Sequence, residues 1–92
     1  MYRLIQLRVV NRPGVLHRVT QIALKPNYNI DTMTLIATED PEISIISIGI
    51  QFIEQDHAAA AAFLARQFEK QVDIIRAIDL TALSEQYNQP NF

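Results

Sequence analysis

The sequence predicts an α+β domain in which a four-stranded antiparallel sheet carries two helices on one face. Three observations lead to this fold class. Four segments combine β-branched residues with alternating side chains, two segments repeat apolar residues at helical spacing, and the six follow the order β-α-β-β-α-β. The 92 residues leave room for one hydrophobic core, and an apolar share of 49 % is ordinary for a folded domain.

The first part of the chain predicts a strand, a sharp turn and a helix. Residues 2–10 alternate in side-chain direction and are rich in β-branched residues. Residues 11–14, NRPG, end this strand because Pro lacks an N–H group and Gly accepts unusual dihedral angles. Residues 15–25 repeat apolar side chains at spacings of three and four, which predicts a helix that Pro26 ends, with Asn27 in the following turn.

Two strands joined by an acidic turn are predicted next. Residues 28–38 are rich in Thr and Ile, residues 39–42 form the polar turn, and residues 43–53 are the most β-prone segment of the chain. Alternation on this third strand predicts a core face with four apolar side chains, namely Ile46, Ile48, Ile50 and Phe52.

The last part of the chain predicts a helix, a strand and a tail. Residues 56–70 contain five consecutive Ala residues behind Asp56, which suits the N-cap. Residues 72–80 predict the fourth strand, with Val72, Ile74, Ile78 and Leu80 in alternation. Residues 81–92 are polar and are expected to form a loose C-terminal tail, so the domain spans residues 1–80.

This order of elements is that of the ferredoxin-like split βαβ fold. Right-handed crossovers predict the strand order 4-1-3-2, with both helices on one face of the sheet. The bare face mixes Leu4, Ile45 and Ile75 with polar side chains. Such a face is either half-solvated or covered by another chain, and pairing side by side with a second copy would also protect an edge strand.

Charge and residue usage exclude several classes of function. The net charge of -2 argues against nucleic acid, and a base-stacking sheet needs exposed aromatic side chains on its central strands. There is no Cys, and His17 and His57 lie on different predicted helices, so no metal site is expected. Because no long apolar run and no signal peptide are evident, we expect a soluble cytoplasmic protein that does not enter a membrane.

The turn before the first helix is the strongest candidate binding site. A helix start presents free N–H groups and a positive dipole end, which suits a carboxylate or a phosphate, and Gly14 permits close approach. Asn29 opens the second strand, and its amide can both donate and accept hydrogen bonds. Each residue also has a structural interpretation, because Asn11 and Gly14 suit a capped turn and Asn29 suits a local turn bond.

These segments together resemble the ACT-domain family. Residues 11–19, NRPGVLHRV, are similar to the family's N-x-x-G-x-L-x-R-V opening, and residues 28–34, YNIDTMT, resemble its second strand. Residues 38–44 resemble its T-x-D-P-x-x-S turn, and residues 72–75, VDII, its last strand. The resemblance covers about residues 2–80 and points to one branch, the short single-domain form of the small regulatory subunits of acetolactate synthase (acetohydroxyacid synthase).

The resemblance implies a regulatory subunit with no catalytic residues and no cofactor of its own. Thiamine diphosphate, Mg²⁺ and FAD would belong to the large catalytic subunit, which the small subunit activates and makes sensitive to a branched-chain amino acid, typically valine. Two chains would pair side by side into an eight-stranded sheet with the effector at their interface. The implied ligand-binding positions are Asn11, Gly14, Val15 and Leu16 of one chain and Asn29 and Ile30 of the other.

Three alternatives remain open at this point. A stand-alone ACT-domain sensor would bind an amino acid and regulate another enzyme or a transcription system. A small enzyme on the same scaffold would need a nucleophile or an acid–base pair, which the sequence does not offer. A purely structural activator would have lost its effector site, although Asn11, Gly14 and Asn29 are all present.

Overall fold

The structure is a computed structural model that describes residues 1–24 and 28–87. Its elements appear in the predicted order, followed by one additional helix. They are β1 (Tyr2–Val10), α1 (Val15–Leu24), β2 (Asn29–Ala37), β3 (Ile43–Gln51), α2 (His57–Glu69), β4 (Ile74–Asp79) and α3 (Leu80–Tyr87). The predictions for Pro26 and Asn27 lie outside the described residues.

The sheet has the predicted antiparallel order, β2-β3-β1-β4. β1 and β3 pair along their whole length, from Tyr2 opposite Gln51 to Val10 opposite Ile43. β2 pairs with the other side of β3, so β2 and β4 are the two edge strands. We call the end of the sheet at Val10, where α1 begins, the α1 end, and the end at Asp79, where α3 begins, the α3 end.

The core lies between the sheet and the helices α1 and α2. β1 and β3 each contribute three fully buried apolar side chains, and Phe52 extends the same face beyond β3. The predicted core face of the third strand is therefore confirmed. The fully buried side chains from the two helices are Val19, Ala23, Ala61 and Phe68. Asp56 is the N-cap of α2, as predicted, and its side chain accepts a hydrogen bond of 3.2 Å from the Ala59 N–H group.

The prediction for β4 is wrong in its alternation. The pairing with β1 shifts between Arg8 and Val9, which leaves Ile75 as an extra residue in a β-bulge. Beyond the bulge the two faces exchange, so that Ile78 pairs with Gln6 on the bare face. Val72 precedes the strand and is 90 % exposed.

The prediction of a loose tail is wrong for residues 81–87, which belong to α3. The Asp79 carboxylate accepts a hydrogen bond of 3.1 Å from the Ala82 N–H group, as an N-cap residue does. The Leu4 N–H group donates to the Thr81 hydroxyl at 2.8 Å, which attaches the helix to β1. Residues 88–92 lie outside the described part. Within the described part, no helix is long and apolar enough to cross a bilayer.

Candidate functional site

The turn before α1 has the backbone geometry of a helix start. Gly14 has φ of +85°, a conformation that glycine adopts without strain. The Gly14 carbonyl accepts the first helical bond from the Arg18 N–H group at 3.0 Å, and the Val15 N–H group donates to the Arg12 carbonyl at 3.2 Å. The Val15 N–H group is therefore occupied, and the next N–H groups of the first turn are those without an acceptor inside the helix.

Asn11 joins this turn to the turn between β2 and β3. Its N–H group donates to the Glu42 carbonyl at 2.7 Å, and its side-chain amide donates to the Pro41 carbonyl at 3.3 Å. The Asn11 amide thus bonds to the neighbouring turn, which fixes the two turns side by side at the α1 end.

A buried carboxylate with two arginines lies behind the same turn. Asp73 is buried, and its two carboxylate oxygens contact Arg12, at 3.4 Å, and Arg18. The arginine side chains are 62 % and 41 % exposed, respectively. Arg18 also lies against Gly14, because a Cβ atom built there would be 3.2 Å from its Nη1. Two guanidinium groups share one carboxylate here, which leaves a surplus positive charge beside the start of α1.

The sequence did not predict the pairing of these three residues, although they lie in segments that carry the family resemblance. Asp73 is a lone acidic residue among apolar ones, in the sequence Val-Asp-Ile-Ile. A charged residue inside an apolar strand segment is rarely buried without a partner. That rule predicts a cationic partner for Asp73, but the pairing with Arg12 and Arg18 becomes visible only in three dimensions.

Asn29 takes part in a small polar network at the α3 end. Its side-chain amide donates to one carboxylate oxygen of Asp31 at 2.5 Å, and the Gln51 amide donates to the other at 2.8 Å. The β2–β3 register shifts between Ile30 and Thr32, so Asp31 occupies a bulge. The network therefore holds Asn29 at the exposed start of the edge strand.

Tyr28 lies directly before this network. Its hydroxyl donates to the Glu54 carboxylate at 2.7 Å, and its ring packs against Phe52 with a centroid distance of 4.6 Å. Burial, together with the hydrogen bond and the negative charge of Glu54, raises the pKa of Tyr28 to about 12. The Tyr28 phenol consequently stays protonated to a higher pH than an ordinary tyrosine.

The two halves of the predicted site lie at opposite ends of one sheet. Asn11 bonds to the residue before β3, whereas Asn29 pairs with Gln51, the last residue of β3. The eight steps along β3 from Ile43 to Gln51 amount to about 26 Å. One chain therefore does not bring Asn11 and Gly14 together with Asn29.

The apolar members of the predicted set differ in how much surface they offer. The Val15 side chain is buried in the core, and the Ile30 side chain is half-buried and packs against the core. Leu16 is exposed on the first turn of α1. Leu16 is therefore the most exposed of these three side chains and the one best placed to contact a ligand at the α1 end.

A second charged cluster, around Arg3, lies at the α3 end. Arg3 is fully buried and contacts Asp79 at 2.9 Å, Glu85 at 3.1 Å and the His57 Nδ1 at 2.9 Å. Because a guanidinium group can only donate, the His57 Nδ1 accepts this bond. His57 is thus bonded to the protein through Arg3. Among the described residues, no group of His, Asp and Glu side chains is arranged to hold a metal ion.

The order of elements and the sheet topology are those of an ACT domain. The chain belongs to the family described as AHAS small subunit-like ACT domain, whose sequence model matches residues 5–76. It is similar to the acetolactate synthase small subunits of Bacillus subtilis, with 37 % identity over 88 % of this chain, and of Buchnera aphidicola, with 32 % identity over 85 %. It covers only 45 % and 47 % of those two relatives, so it spans about half their length.

Solved structures agree with this fold. The small subunit of acetolactate synthase from Thermotoga maritima has a TM-score of 0.69 and 22 % identity, over 86 % of this chain and 47 % of that one. The ACT domain of the GTP pyrophosphokinase from Chlorobium tepidum has a TM-score of 0.65 and 18 % identity, over 85 % of this chain and 95 % of the crystal structure's chain. At these identities the similarity demonstrates the fold alone.

Proposed function

We propose that this chain is a non-catalytic regulatory subunit of acetolactate synthase that binds a branched-chain amino acid, with valine the first candidate. The observation that carries the proposal is the family match over residues 5–76, which includes every residue of both half-sites. The catalytic partner would be the thiamine-diphosphate-dependent large subunit, whose activity this chain would raise and place under feedback control.

The proposed effector site is completed by a second copy of the chain. β2 is an edge strand whose only charged residue is Asp31, and its Leu35 and Ile36 are each 55 % exposed. An edge strand with a single charge and exposed apolar side chains favours pairing with another strand. If two β2 strands pair antiparallel, the start of each lies beside the end of the other, so Asn29 of one copy approaches the α1 end of its partner.

The charges of the Asp73 cluster support recognition of a carboxylate beside the start of α1. The surplus positive charge of Arg12 and Arg18 over Asp73 adds to the positive end of the α1 dipole. The effector carboxylate would bind to the free N–H groups of the first turn of α1, and the partner's Asn29 would contact its ammonium group. Leu16 would contact the aliphatic side chain. Because one methylene contributes only about 0.8 kcal/mol, valine, leucine and isoleucine would be weakly discriminated.

Regulation would follow from the position of the ligand between two chains. An effector that contacts both copies stabilises the dimer geometry in which its contacts are best, in proportion to its differential affinity. A large subunit bound to the pair would experience this change of geometry and lose activity.

The binding test is calorimetric titration with valine, leucine and isoleucine, together with the mass of the protein in solution. We expect binding in the micromolar to millimolar range by a dimer. In the Gly14→Asp variant, a carboxylate stands where the effector carboxylate would bind, so we expect affinity to fall by more than tenfold. The Gly14→Asn variant is the matched control, because Asn has nearly the same shape and the same backbone strain without the charge.

Three outcomes would count against parts of the proposal. Equal binding by the Asp and Asn variants would refute the position of the site. A dimer that binds none of the three amino acids would leave a constitutive activator. Amino-acid binding without any effect on acetolactate formation by the large subunit would instead favour a stand-alone sensor.

A further inference from the structure

Two arginines stand side by side on the bare face of the sheet. Arg8 on β1 and Arg76 on β4 are directly opposite each other in the antiparallel pairing, and both are exposed. Within the described residues, neither guanidinium has an ion pair or a side-chain hydrogen bond, unlike the guanidinium groups of Arg3, Arg12 and Arg18. Like charges directly opposite across two strands are destabilising, so this pair costs stability in the isolated chain.

The surroundings of the pair are aliphatic. The β4 bulge brings Ile75 onto this face and leaves it exposed, and the exchange of faces beyond the bulge adds Ile78. Together with the pair, these side chains line a shallow depression whose other members are Gln6 and Ile45. We call this surface the arginine face. It combines two adjacent positive charges with three isoleucines, which fits a carboxylate carried among apolar side chains.

The charges also argue against the most obvious alternative occupant. A two-fold contact between two copies through this face would bring four guanidinium groups together, and juxtaposed like charges oppose association. The β2 edge proposed for pairing lies on the other side of β3, away from Arg8 and Arg76. The arginine face therefore stays accessible in a dimer formed side by side.

We propose that the arginine face is the docking surface for the catalytic subunit of acetolactate synthase, and that it receives an Asp or Glu side chain from an otherwise apolar segment. The carboxylate would bind between the Arg8 and Arg76 guanidinium groups and remove their mutual repulsion, while the three isoleucines would bury apolar surface around it. This inference rests on the proposed function, since it names the surface through which the regulatory subunit reaches its partner.

The test measures the dissociation constant for the catalytic subunit from the same organism. The Arg8→Glu/Arg76→Glu variant reverses both charges, and we expect its affinity to fall by at least tenfold. The Arg66→Glu/Lys70→Glu variant is the matched control, because it changes the net charge equally at exposed positions at the end of α2. We expect that control to change affinity by less than about twofold at moderate salt. The Arg8→Lys/Arg76→Lys variant should retain part of the binding.

Folding, dimer mass and valine affinity are measured for each variant. These measurements distinguish a failure of the docking proposal from a failure of the proposed function on which it rests. If the wild-type chain does not bind the catalytic subunit, the proposed function fails and the docking surface with it. If the wild type binds and the two double reversals lose affinity equally, the docking surface is refuted while the proposed function stands. Conversion of a dimer to a monomer by the Arg8→Glu/Arg76→Glu variant would also refute it, because the face would then belong to a contact between copies.

Discussion

The ionic clusters at the two ends of the sheet contain arginine and carboxylate side chains in opposite ratios. At the α1 end, two exposed arginines share the one buried carboxylate of Asp73. At the α3 end, one fully buried arginine, Arg3, lies between the carboxylates of Asp79 and Glu85, and it also donates to His57. The Asp73 cluster thus has a surplus of one positive charge, and the Arg3 cluster has a surplus of one negative charge.

This difference indicates different roles for the two ends. Exposed guanidinium groups can exchange a solvent contact for an anionic ligand at small cost, so the α1 end suits recognition of a carboxylate. The buried Arg3 has no such freedom, and its three partners belong to α2, β4 and α3. The Arg3 cluster accordingly has a structural role, because it connects α2, β4 and α3 to β1.

The largest change in stability is expected when the Arg3 cluster is disrupted. Arg3→Ala removes the only cation beside Asp79 and Glu85 among the described residues of the cluster, and it leaves a largely buried carboxylate without its partner. We expect a loss of about 3 kcal/mol in the free energy of unfolding, measured by urea denaturation. The Arg66→Ala variant, at an exposed position on α2, should change stability by less than about 0.5 kcal/mol. Similar losses in the two variants would contradict a structural role for Arg3.

A smaller effect is expected at the α1 end. The coupling between Arg18 and Asp73, measured by a double-mutant cycle with Arg18→Gln and Asp73→Asn, should be about 1 kcal/mol, because Arg18 is 41 % exposed and water screens the pair. The coupling should decrease at high salt. A value as large as the loss in Arg3→Ala, or one that does not respond to salt, would mean that the two ends do not differ as described.

The core face of β3 was predictable from its regular period, whereas the alternation of β4 was not. β3 alternates without interruption from Ile43 to Gln51, so its core face followed from the sequence. The alternation in β4 is broken at Ile75 because a bulge depends on the pairing with β1, which a local pattern does not contain. The helix α3 had a local signal in Asp79 as its N-cap, but the polar composition after it favoured a tail.

The site shows the same division between local and distant information. The turn at Gly14 and the start of α1 could be predicted, because a Pro-Gly turn before a helical period is a local signal. The pairing of Arg12 and Arg18 with Asp73 joins residues more than 50 positions apart. The separation of Asn11 from Asn29 by the length of the sheet follows from strand order, which makes a second chain necessary for the proposed site.

The last expected effect is confined to alkaline pH and lies at the α3 end, where Tyr28 donates to Glu54. The pKa of Tyr28 rises from its ordinary value of 10.0 to about 12 in the folded chain, mainly through burial and also through Glu54. A group whose pKa is higher in the folded state contributes stability that is complete below the unfolded pKa and is lost as the pH rises from about 10 to about 12. We therefore expect the free energy of unfolding to fall over this range.

The Tyr28→Phe variant isolates this contribution, because it removes the titrating group and keeps the ring that packs on Phe52. The difference in unfolding free energy between the wild type and the variant should be constant below about pH 10 and should decrease above it. Glu54→Gln should lower the pH at which the decrease ends without abolishing it, since burial remains, whereas the onset near pH 10 is set by the unfolded chain. A difference that is independent of pH would mean that the Tyr28 hydroxyl titrates alike in the folded and unfolded chains, and that the ionic contribution at the α3 end comes from the Arg3 cluster alone.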